Sequence, residues 1–432
     1  MEVTDSYKQT EVGLIPNDWN AFQLGELAEF ITSGSRGWAA YYSDYGALFI
    51  RSQNVRAGQL DLEDCQFVNP PLGAEGNRTR VNRDDVLITI TGNSVGNVAH
   101  VECEFEEAFI SQHVGLVRLF EAHLGQYVSR FLSPGSPGNS QIWASQSGQS
   151  KPGLTLRNLQ EFWVAIPPTK AEQLAIATAL SDVDVLLDGL TRLVAKKLNL
   201  KQAAMQQLLT GLTRLPGFSG NWETKRLGNH LTFLKNGVNS RAELTTEGKV
   251  KYLHYGDIHG AASLVLNPSA MSMPYLPVAK AGRLDRLSDG DLVFADASED
   301  LDGVGKSVEL NGLGQFEVVS GLHTIAIRFD KQVLADGFKA YLQFMPVFRQ
   351  HLRRLAAGTK VYATNRAHIA SAELKLPDVR EQTAIATVLS DMDAELSALD
   401  VRLTKTRALK QAMMQELLTG KTRLLIPEAD HA

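Results

Sequence analysis

An internal repeat limits the possible folds of this chain more than any other feature. The segment EQLAIATALSDVD at residues 172–184 returns as EQTAIATVLSDMD at residues 381–393. The segment KQAAMQQLLTGLTRL at residues 201–215 returns as KQAMMQELLTGKTRL at residues 410–424. Both pairs lie 209 residues apart, so neither copy gains or loses a residue between the two segments. A chain with such a duplication is expected to fold as two similar structures in tandem.

Each copy of the repeated stretch predicts one long helix. Thr169 and Asp378 suit the N-cap position, and a glutamate follows each of them after three residues, which is the pattern of a capping box. Gly211 and Gly420 suit the C-terminal end of a helix. We therefore predict long helices at residues 169–211 and 378–420, each roughly 60 Å long at about 1.5 Å per residue.

Both predicted helices carry an apolar stripe with heptad spacing. This spacing indicates that each helix packs against the other, and the alternative is that the two helices belong to separate cores. The stripe positions expected to form the coiled coil are Leu180, Leu187, Leu190 and Val194 in the first helix and Leu389, Leu396, Leu399 and Leu403 in the second.

The repeat also covers the residues in front of each helix. Trp19 corresponds to Trp222 at an offset of 203 residues, and residues 95–96 correspond to residues 304–305 at an offset of 209. The later segments are expected to keep this offset, so the second copy has two short insertions, both before the glycine turn. Both tryptophans have apolar neighbours, which favours packing in a core over stacking on a base. The predicted domains are residues 1–168 and 212–377, with a tail at residues 421–432.

The two globular domains have the sequence pattern of β-rich structures. Short apolar or alternating segments bounded by glycine, asparagine and aspartate predict strands, for example at residues 86–90, 113–119 and 324–329. Helical segments are expected near residues 125–132 and 337–354. The predicted fold class is therefore α+β, with two mixed, β-rich domains in tandem and two long helices.

Composition places the chain among ordinary globular proteins. Its net charge is −5, so the whole molecule is not a basic nucleic-acid binder, although a local basic surface is enough to contact phosphates. No run of 18 apolar residues predicts a membrane span, and the polar start of the sequence does not resemble a signal peptide. The isolated thiols Cys65 and Cys103 suit a reducing compartment, so a cytoplasmic location is expected. Basic residues cluster as Arg78, Arg80 and Arg83 in the first copy and as Arg349, Arg353, Arg354, Lys360 and Arg366 in the second.

Two short motifs resemble enzyme signatures but depart from them at a required position. GVGKS at residues 303–307 resembles the end of a phosphate-binding loop, yet Asp300 stands where that motif needs glycine. NPPL at residues 69–72 resembles a motif of amino-methylating DNA methyltransferases, yet Leu72 is not the aromatic residue that stacks on a flipped base. We expect a glycine turn and a β-turn at these places. No catalytic residue and no metal ligand is predicted, because no cluster of such residues occurs in both copies.

The repeated motifs together resemble the specificity subunits of type I restriction-modification systems, and the resemblance spans nearly the whole chain. In the first copy the matching residues are Ile15, Pro16, Trp19, Leu24, Gly25, Ser147, Gly148, Ile166, Pro167, Pro168, Glu172, Gln173, Ala175 and Ile176. In the second copy they are Pro216, Phe218, Trp222, Leu227, Gly228, Gly358, Leu376, Pro377, Glu381, Gln382, Ala384 and Ile385.

This resemblance implies two target recognition domains held apart by two long helices that pair as an antiparallel coiled coil. It implies two modification subunits that clasp these helices and supply S-adenosylmethionine and catalysis, and it allows restriction subunits to join the assembly. This chain itself is then non-catalytic and holds no cofactor. Two alternatives stay open at this point: an autonomous adenine DNA methyltransferase, and a purely structural coiled-coil adaptor.

The two globular domains differ in sequence, which predicts a bipartite and asymmetric site in double-stranded DNA. Arginine and lysine suit guanine in the major groove, whereas asparagine and glutamine suit adenine. Lys151 and Lys360 recur at the offset of 209 in small polar loops, where a lysine can contact a phosphate. The candidate DNA contacts are Arg51, Arg78, Arg80, Gln141 and Lys151 in the first domain and His254, Arg353, Lys360, Tyr362 and Asn365 in the second.

Overall fold

The computed structural model describes residues 6–56, 58–69, 73–146, 153–356, 358 and 361–424. Internal contacts divide the chain into two units, of which unit 1 comprises Met1–Arg192 and Val401–Ala432 and unit 2 comprises Leu193–Asp400. The division falls inside both long helices, so each unit contains one β-rich part and a part of each helix. None of the helices in the described ranges is long and apolar enough to cross a membrane.

Unit 1 consists mainly of short strands. These are β1 (Tyr7–Thr10), β2 (Gly13–Pro16), β3 (Asn20–Gln23), β4 (Ala28–Ser33), β5 (Tyr42–Ser43), β6 (Ala47–Ile50), β7 (Gln66–Val68), β8 (Val86–Thr89), β9 (Val98–His100), β10 (Ala108–Ile110), β11 (Val114–Leu119) and β12 (Trp163–Ile166). The helices of the first half are α1 (Leu24–Leu27), α2 (Ala74–Thr79), α3 (Leu124–Leu132), α4 (Asn139–Ser145), α5 (Leu156–Glu161) and the long helix α6 (Lys170–Leu208). Short 3-10 turns occupy Trp38–Tyr41 and Ser52–Asn54.

Two sheets form the body of unit 1. The antiparallel sheet has the order β4-β11-β8-β9, and the mixed sheet has the order β10-β6-β7-β5 with a parallel β10/β6 pair. The central strand β8 is buried along its whole length. It can be a continuous apolar run because both of its faces are covered. Separately, β12 pairs with β3 and thereby ties the end of the globular part to its start.

Unit 2 repeats this arrangement. Its strands are β13 (Glu223–Arg226), β14 (Leu231–Phe233), β15 (Val250–Leu253), β16 (Val265–Leu266), β17 (Tyr275–Leu276), β18 (Leu292–Ala295), β19 (Ala297–Ser298), β20 (Ser307–Leu310), β21 (Glu317–Ser320), β22 (Thr324–Phe329), β23 (Tyr362–Ala363) and β24 (Glu373–Leu376). Its helices are α7 (Tyr255–His259), α8 (Val278–Ala281), α9 (Pro346–Leu355), α10 (Arg366–Ala370) and the long helix α11 (Val379–Leu417). Short 3-10 turns occupy Leu227–His230, Arg241–Glu243 and Lys339–Phe344.

The sheets of unit 2 share the central strand order of those in unit 1, with β16 added to one sheet and no counterpart of β5 in the other. The order β14-β22-β18-β20-β16 corresponds to β4-β11-β8-β9, and β17-β15-β21 contains the parallel pair that corresponds to β6/β10. An equivalent ion pair supports each central strand. Arg118 binds Asp85 through two nitrogens at 2.8 and 2.7 Å, and Arg328 binds Asp291 at the same two distances. The expectation of two domains with a common fold is confirmed.

The expectation that the offset stays at 209 residues after the glycine turn is wrong from β11 and β22 onwards. His100 and Glu309 occupy equivalent pairing positions at that offset, whereas Val114 and Thr324 do so at an offset of 210. The second copy therefore has one additional residue between these strands. It then has one residue fewer before its long helix, where the single Pro377 corresponds to the two residues Pro167 and Pro168 of the first copy. The two changes cancel, so the helices alone do not reveal them.

The long helices begin directly after the predicted caps, and they end at Leu208 and Leu417, three residues before the predicted glycines. The Thr169 hydroxyl accepts the backbone N–H of Glu172 at 3.3 Å, and the Asp378 carboxylate accepts that of Glu381 at 2.9 Å. Beyond the other ends, Gly211 and Gly420 have φ angles of 71° and 69°. This left-handed conformation favours glycine after the last turn of a helix.

In unit 1, the first part of α6 packs antiparallel to the last part of α11. Asp184 of α6 lies 2.5 Å from Lys410 Nζ, while Glu172 near the start of α6 binds Arg423, which follows the end of α11. The numbers rise along α6 as they fall along α11, which defines the antiparallel direction. Met414 and Leu417 of α11, and Leu418 directly after it, lie in the same hydrophobic core as Leu180 of α6.

In unit 2, the last part of α6 packs antiparallel to the first part of α11 in an equivalent way. Lys201 pairs with Asp393, and Lys197 Nζ lies 2.7 Å from Glu395 Oε1. Arg214, which follows α6, binds the carboxylate of Glu381 through two nitrogens. The Lys201 and Arg214 pairs of unit 2 thus match the Lys410 and Arg423 pairs of unit 1 with the roles of the two copies exchanged, whereas the Lys197 pair has no counterpart among the described residues of unit 1.

The predicted coiled-coil positions face the interior of their units. Leu180, Leu190, Leu389 and Leu403 are buried, and Leu187, Val194, Leu396 and Leu399 are half-buried. Two helices in separate cores would not produce the cross-helix ion pairs found in each unit. The prediction of an antiparallel helix pair is confirmed.

The tryptophans predicted to be packing residues close the base of each unit. Trp19 is 0% exposed, and the Arg423 guanidinium lies 5.8 Å from its ring centre. Trp222 has the Arg214 guanidinium at the same distance from its ring, and its indole N–H donates to Glu381 at 3.3 Å. Each tryptophan therefore joins the start of a globular part to the end of a long helix.

Replacing Gly189 with alanine is expected to stabilise unit 1. Gly189 lies in the interior of α6, and a Cβ atom at this position would meet no atom within 4 Å. Alanine is favoured over glycine in a helix by roughly 1 kcal/mol, so the free energy of unfolding should rise by about that amount. Hydrogen exchange of the α6 amides measures it. Gly305→Ala is the control of opposite sign, because Gly305 has a φ of 81° and its Cβ would lie 2.5 Å from Leu352 Cδ1. Faster exchange in Gly189→Ala would contradict the expectation.

Candidate nucleic-acid interface

Arg51 and Arg80 lie beside the mixed sheet of unit 1. Arg51 follows β6, and its Nη2 donates to the carbonyl oxygen of Asp64 at 3.0 Å and lies 3.3 Å from the Asp64 carboxylate. Arg80 follows α2, donates to the carbonyl oxygen of Glu106 at 3.2 Å and lines a cavity of about 850 Å³. Arg80 is the more exposed of the two, so its guanidinium has more freedom to meet a ligand.

Arg78 organises a loop of its own chain. Its guanidinium donates to the carbonyl oxygen of Ser33 at 2.7 Å, to the Ser35 hydroxyl at 3.0 Å and to the Thr32 hydroxyl. These three bonds hold the loop that leaves β4. Arg78 therefore acts as an anchor of this surface, with three of its five N–H donors engaged by the loop.

The loop that Arg78 anchors was missed by the sequence interpretation. Trp38 of this loop is buried and attaches the loop to β6. Its indole stacks on Phe49 with a centroid distance of 5.8 Å and an interplanar angle of 16°. Above it the loop presents one arginine, which has no ion pair within the described ranges, and three exposed tyrosines. A charged side chain beside aromatic rings is a typical composition for contacts to phosphates and bases. The residues are Arg36, Tyr41, Tyr42 and Tyr45.

Gln141 of α4 is bound to the backbone of its own unit. Its Nε2 donates to the carbonyl oxygen of Trp163 at 2.7 Å, and its Oε1 accepts the N–H of Trp163 at 2.7 Å. Both ends of the amide are thus engaged at the edge of β12. The side chain therefore positions α4, and its role as a DNA contact stays a prediction.

In unit 2, His254 and Asn365 act as helix caps. Burial lowers the pKa of His254, which favours the neutral imidazole whose Nδ1 accepts the N–H of Gly256 at 3.4 Å. Asn365 Oδ1 accepts the N–H of His368 at 3.0 Å at the start of α10. Tyr362 lies in β23, paired with Ser298 of β19. Each of these three residues thus has a local structural role, and their DNA contacts stay predictions.

Arg353 of α9 fixes the loop in front of the glycine turn. It donates to the carbonyl oxygen of Leu301 at 3.2 Å and forms an ion pair with Asp302. Arg349, one turn earlier, lies 3.0 Å from the same Asp302 carboxylate. Two arginines of α9 therefore pin one acidic residue of this loop.

Lys151 and Lys360 lie outside the described residues. Leu154 and Thr364, which follow them, are equivalent positions at an offset of 210. The N–H of Leu154 donates to the carbonyl oxygen of Ile90, and the N–H of Thr364 donates to that of the equivalent Asp296, each at 2.8 Å. The two lysines are 209 residues apart, so they are one position out of register with the equivalent residues that follow them.

The GVGKS segment forms a glycine turn, as predicted. Gly96 and Gly305 take φ angles of 87° and 81° at equivalent positions. The Lys306 ammonium donates to the carbonyl oxygen of His259 at 2.6 Å, much as Asn97 Nδ2 donates to that of Val55 at 3.1 Å in unit 1. Lys306 thus closes its own unit, which is not the geometry of a phosphate-binding lysine. The NPPL segment is largely outside the described residues.

A pair of equivalent histidines was also missed. His113 and His323 stand directly before β11 and β22, at the offset of 210 that the sequence comparison did not consider. His323 Nδ1 lies 3.2 Å from Asp296 Oδ1, and His113 Nε2 lies 3.2 Å from Gln112 Nε2. Both imidazoles are exposed. Alignment by strand pairing would have found them. No group of histidine, cysteine and acidic residues in the described ranges could hold a metal ion.

The sequence of this chain is similar to those of known DNA specificity proteins. A family model described as the type I restriction modification DNA specificity domain matches residues 16–200. The type I restriction enzyme EcoKI specificity subunit of Escherichia coli is 21% identical, with 95% of this chain and 90% of the relative aligned. The type I restriction enzyme MjaVIII specificity subunit of Methanocaldococcus jannaschii is 22% identical over 97% of this chain and 96% of the relative.

The chain is thus similar to specificity subunits of type I restriction enzymes over nearly its whole length, and residues 16–200 match the family's DNA specificity domain. A solved structure of the type I restriction-modification S subunit from M. genitalium has the same fold, with a TM-score of 0.58 at 12% identity, covering 96% of this chain and 98% of that chain. A chain from a structure on assembly of the type I system gives a TM-score of 0.54 at 16% identity, covering 94% of this chain and 99% of that chain. Both relatives are specificity subunits, so DNA recognition without catalysis is the role that these similarities support.

Proposed function

We propose that this specificity subunit reads a bipartite, asymmetric site in double-stranded DNA, with unit 1 contacting one part and unit 2 the other. The observation that carries this proposal is the duplicated scaffold, in which equivalent sheets and a common glycine turn carry different loops. Proteins with two-fold repeated readers bind two half-sites, commonly about one helical turn apart. Because the loops differ between the units, the two half-sites differ in sequence.

The proposed contacts of unit 1 lie on the loop anchored by Arg78. Arg36 and the exposed tyrosines can reach the phosphate backbone and base edges, with Arg80 as a further basic contact. Arg78 and Gln141 support this proposal indirectly, since they hold the elements that present the loop. Substituting a supporting residue is expected to weaken binding to all sequences alike.

We further propose that two modification subunits dock on the long helices and bring S-adenosylmethionine and the catalytic residues. Restriction subunits are additional partners in this proposal. It is supported by apolar side chains of the long helices that are exposed and not covered by the packing inside each unit, as is typical of a protein-binding surface. In unit 1 these are Val185, Leu186, Val401 and Leu409, and in unit 2 they are Leu193, Leu198, Leu200 and Val388.

The purified chain, given DNA and labelled S-adenosylmethionine, is expected to incorporate no methyl groups. Addition of its modification subunits is expected to start methylation at a discrete set of sites, which single-molecule sequencing of the DNA identifies. Binding of the chain to duplex DNA should weaken steeply with salt, because phosphate contacts release counterions. The salt slope is measured by titration at several ionic strengths.

Two other results would reject the proposal in different ways. Methyl incorporation by the chain alone would identify an autonomous methyltransferase, although nothing in the described residues favours one. Normal assembly with modification subunits, without salt-dependent DNA binding by the chain, would identify a structural adaptor. A preparation taken through the same purification from cells that do not express the chain is the control for contaminating methyltransferases.

A further inference from the structure

Unit 2 contains a cavity of about 510 Å³ that none of the sequence candidates occupies. It opens beside α7 and β19, close to the start of β22. Its walls combine aromatic, imidazole, hydroxyl and carboxylate groups. The lining residues are Tyr255, His259, Ala297, Ser298, Glu299, Asp300, His323 and Val361.

One side of the cavity is a set of rings that hold each other in place. The Tyr255 ring meets His323 edge to face, with centroids 5.6 Å apart, and meets His259 at 6.2 Å. His259 Nε2 lies 3.0 Å from the carbonyl oxygen of Ala297, and Asp296 holds His323 from behind. Tyr255 is 38% exposed, so its ring is fixed and yet open to a ligand.

The other side of the cavity is a loop that is three residues longer in the second copy than in the first. The offset between the copies rises from 206 residues at Asp291 to 209 at Gly305, so the second copy has three additional residues here. Asp302 is pinned to α9 by two arginines, and Asp300 accepts the N–H of Gly303 at 2.6 Å. The loop is therefore held on its outer side.

Glu299 is the acidic residue of this loop whose two carboxylate oxygens are both without a described partner. Its side chain is exposed, lines the cavity and has no hydrogen bond or ion pair with any part of the chain that the structure describes. The neighbouring histidines and carboxylates do not form a metal-ligand group in the described ranges. The cavity thus offers a free acceptor beside aromatic faces.

This chemistry excludes the DNA backbone as the ligand and favours a base. A carboxylate repels phosphate, whereas it accepts a hydrogen bond from the exocyclic amino group of a base, most typically cytosine N4 in the major groove. Aromatic side chains contact the faces and methyl groups of bases. We propose that this cavity reads an amino-bearing base edge, cytosine N4 before adenine N6, and that Glu299 determines the specificity at that position. The inference rests on the proposed function, because it assigns a role within the site of unit 2.

The test uses the full chain assembled with its modification subunits. Wild-type methylation sites are first mapped by single-molecule sequencing, and duplexes are then made with all four base pairs at each position of that site. Glu299→Gln is expected to reduce discrimination at one base pair of one half-site by roughly tenfold, the usual effect of a single lost base contact. All other positions should keep their preference. Glu247→Gln removes the same charge from another exposed position of unit 2 and should change nothing.

Each alternative outcome has a separate meaning. Unchanged discrimination at every position would overturn the inference, and so would a uniform loss of methylation at all sequences, because a base contact acts at one position. If the wild-type complex itself shows no sequence preference, the proposed function fails. Hydrogen exchange of unit 2 in Glu299→Gln should match the wild type, since the replaced side chain is exposed and has no described partner.

Discussion

A chain that ends at Gln411 is expected to lose the folded state of unit 1 while unit 2 stays folded. The missing residues include Met414, Leu417 and Leu418, which are 3%, 4% and 0% exposed in the hydrophobic core of unit 1. Truncating one buried leucine or methionine to alanine costs about 2–5 kcal/mol. The cost of removing three of them is therefore about as large as the whole free energy of unfolding of a typical domain, roughly 5–15 kcal/mol. Loss of Arg423 adds to this cost, because it leaves the buried carboxylate of Glu172 without its partner.

Hydrogen exchange followed by mass spectrometry separates the two units in this experiment. Peptides from the strands of unit 1 should exchange rapidly in the shortened chain, and peptides from the strands of unit 2 should exchange as in the full chain. A chain that ends at Leu424 keeps every described residue and is the matched control, with wild-type exchange expected throughout. Protection of unit 1 in the chain ending at Gln411 would show that the end of α11 is dispensable for its core.

Asp184→Ala is expected to destabilise unit 1 by about 3–5 kcal/mol, the usual cost of removing one partner from a buried ion pair. Asp184 binds Arg130, which is 4% exposed, and also lies 2.5 Å from Lys410 Nζ. Lys410 can turn towards solvent when the carboxylate is lost. The Arg130 guanidinium cannot, so its positive charge remains buried without compensation. The measurement is the exchange rate of the most protected amides of unit 1.

Two neighbouring variants make the result specific. Asp182→Ala removes an exposed carboxylate two residues earlier and should change the stability by less than about 0.5 kcal/mol. Asp393→Ala is the equivalent substitution in unit 2, where the partners are Lys201 and the Tyr341 hydroxyl at 3.0 Å. A smaller loss of about 1–2 kcal/mol is expected there, because no arginine is left buried. Equal effects of Asp182→Ala and Asp184→Ala would contradict this account.

The long helices could be predicted from sequence because their ends carry local signals. The residues before Glu172 and Glu381 cap the first turn, and the glycines after the last turn adopt the left-handed conformation. The partner of each glutamate could not be predicted. The carboxylates of Glu172 and Glu381 bind arginines from the opposite copy of the repeat, and a contact across about 200 positions leaves no periodic signal in the sequence.

The correspondence between the globular parts was harder to predict than that between the helices. An additional residue before β22 and a missing proline before α11 compensate each other, so an alignment anchored on the helices stays in register on both sides. Only strand pairing shows that Val114 matches Thr324. For this reason the equivalent histidines His113 and His323 were not recognised as a pair.

Residue type alone could not separate contact residues from supporting residues. Arginine and glutamine suit bases, and they also suit backbone carbonyl groups. Arg78 binds Ser33 and Ser35, and Gln141 binds both polar groups of the Trp163 backbone. Arg36 has the same chemistry and no described partner, but nothing in its local sequence marks that difference. The DNA contacts of this chain therefore remain predictions.

The position of residues 414–418 in the core of unit 1 also sets an order for biosynthesis. A ribosome makes the whole of unit 2 before it makes these residues, and domains generally fold as they emerge. During that interval the side of Leu180 that faces α11 has no cover, and the nascent first half is exposed to proteases and to association with other chains. The part of the protein that is made first is therefore the last to become stable.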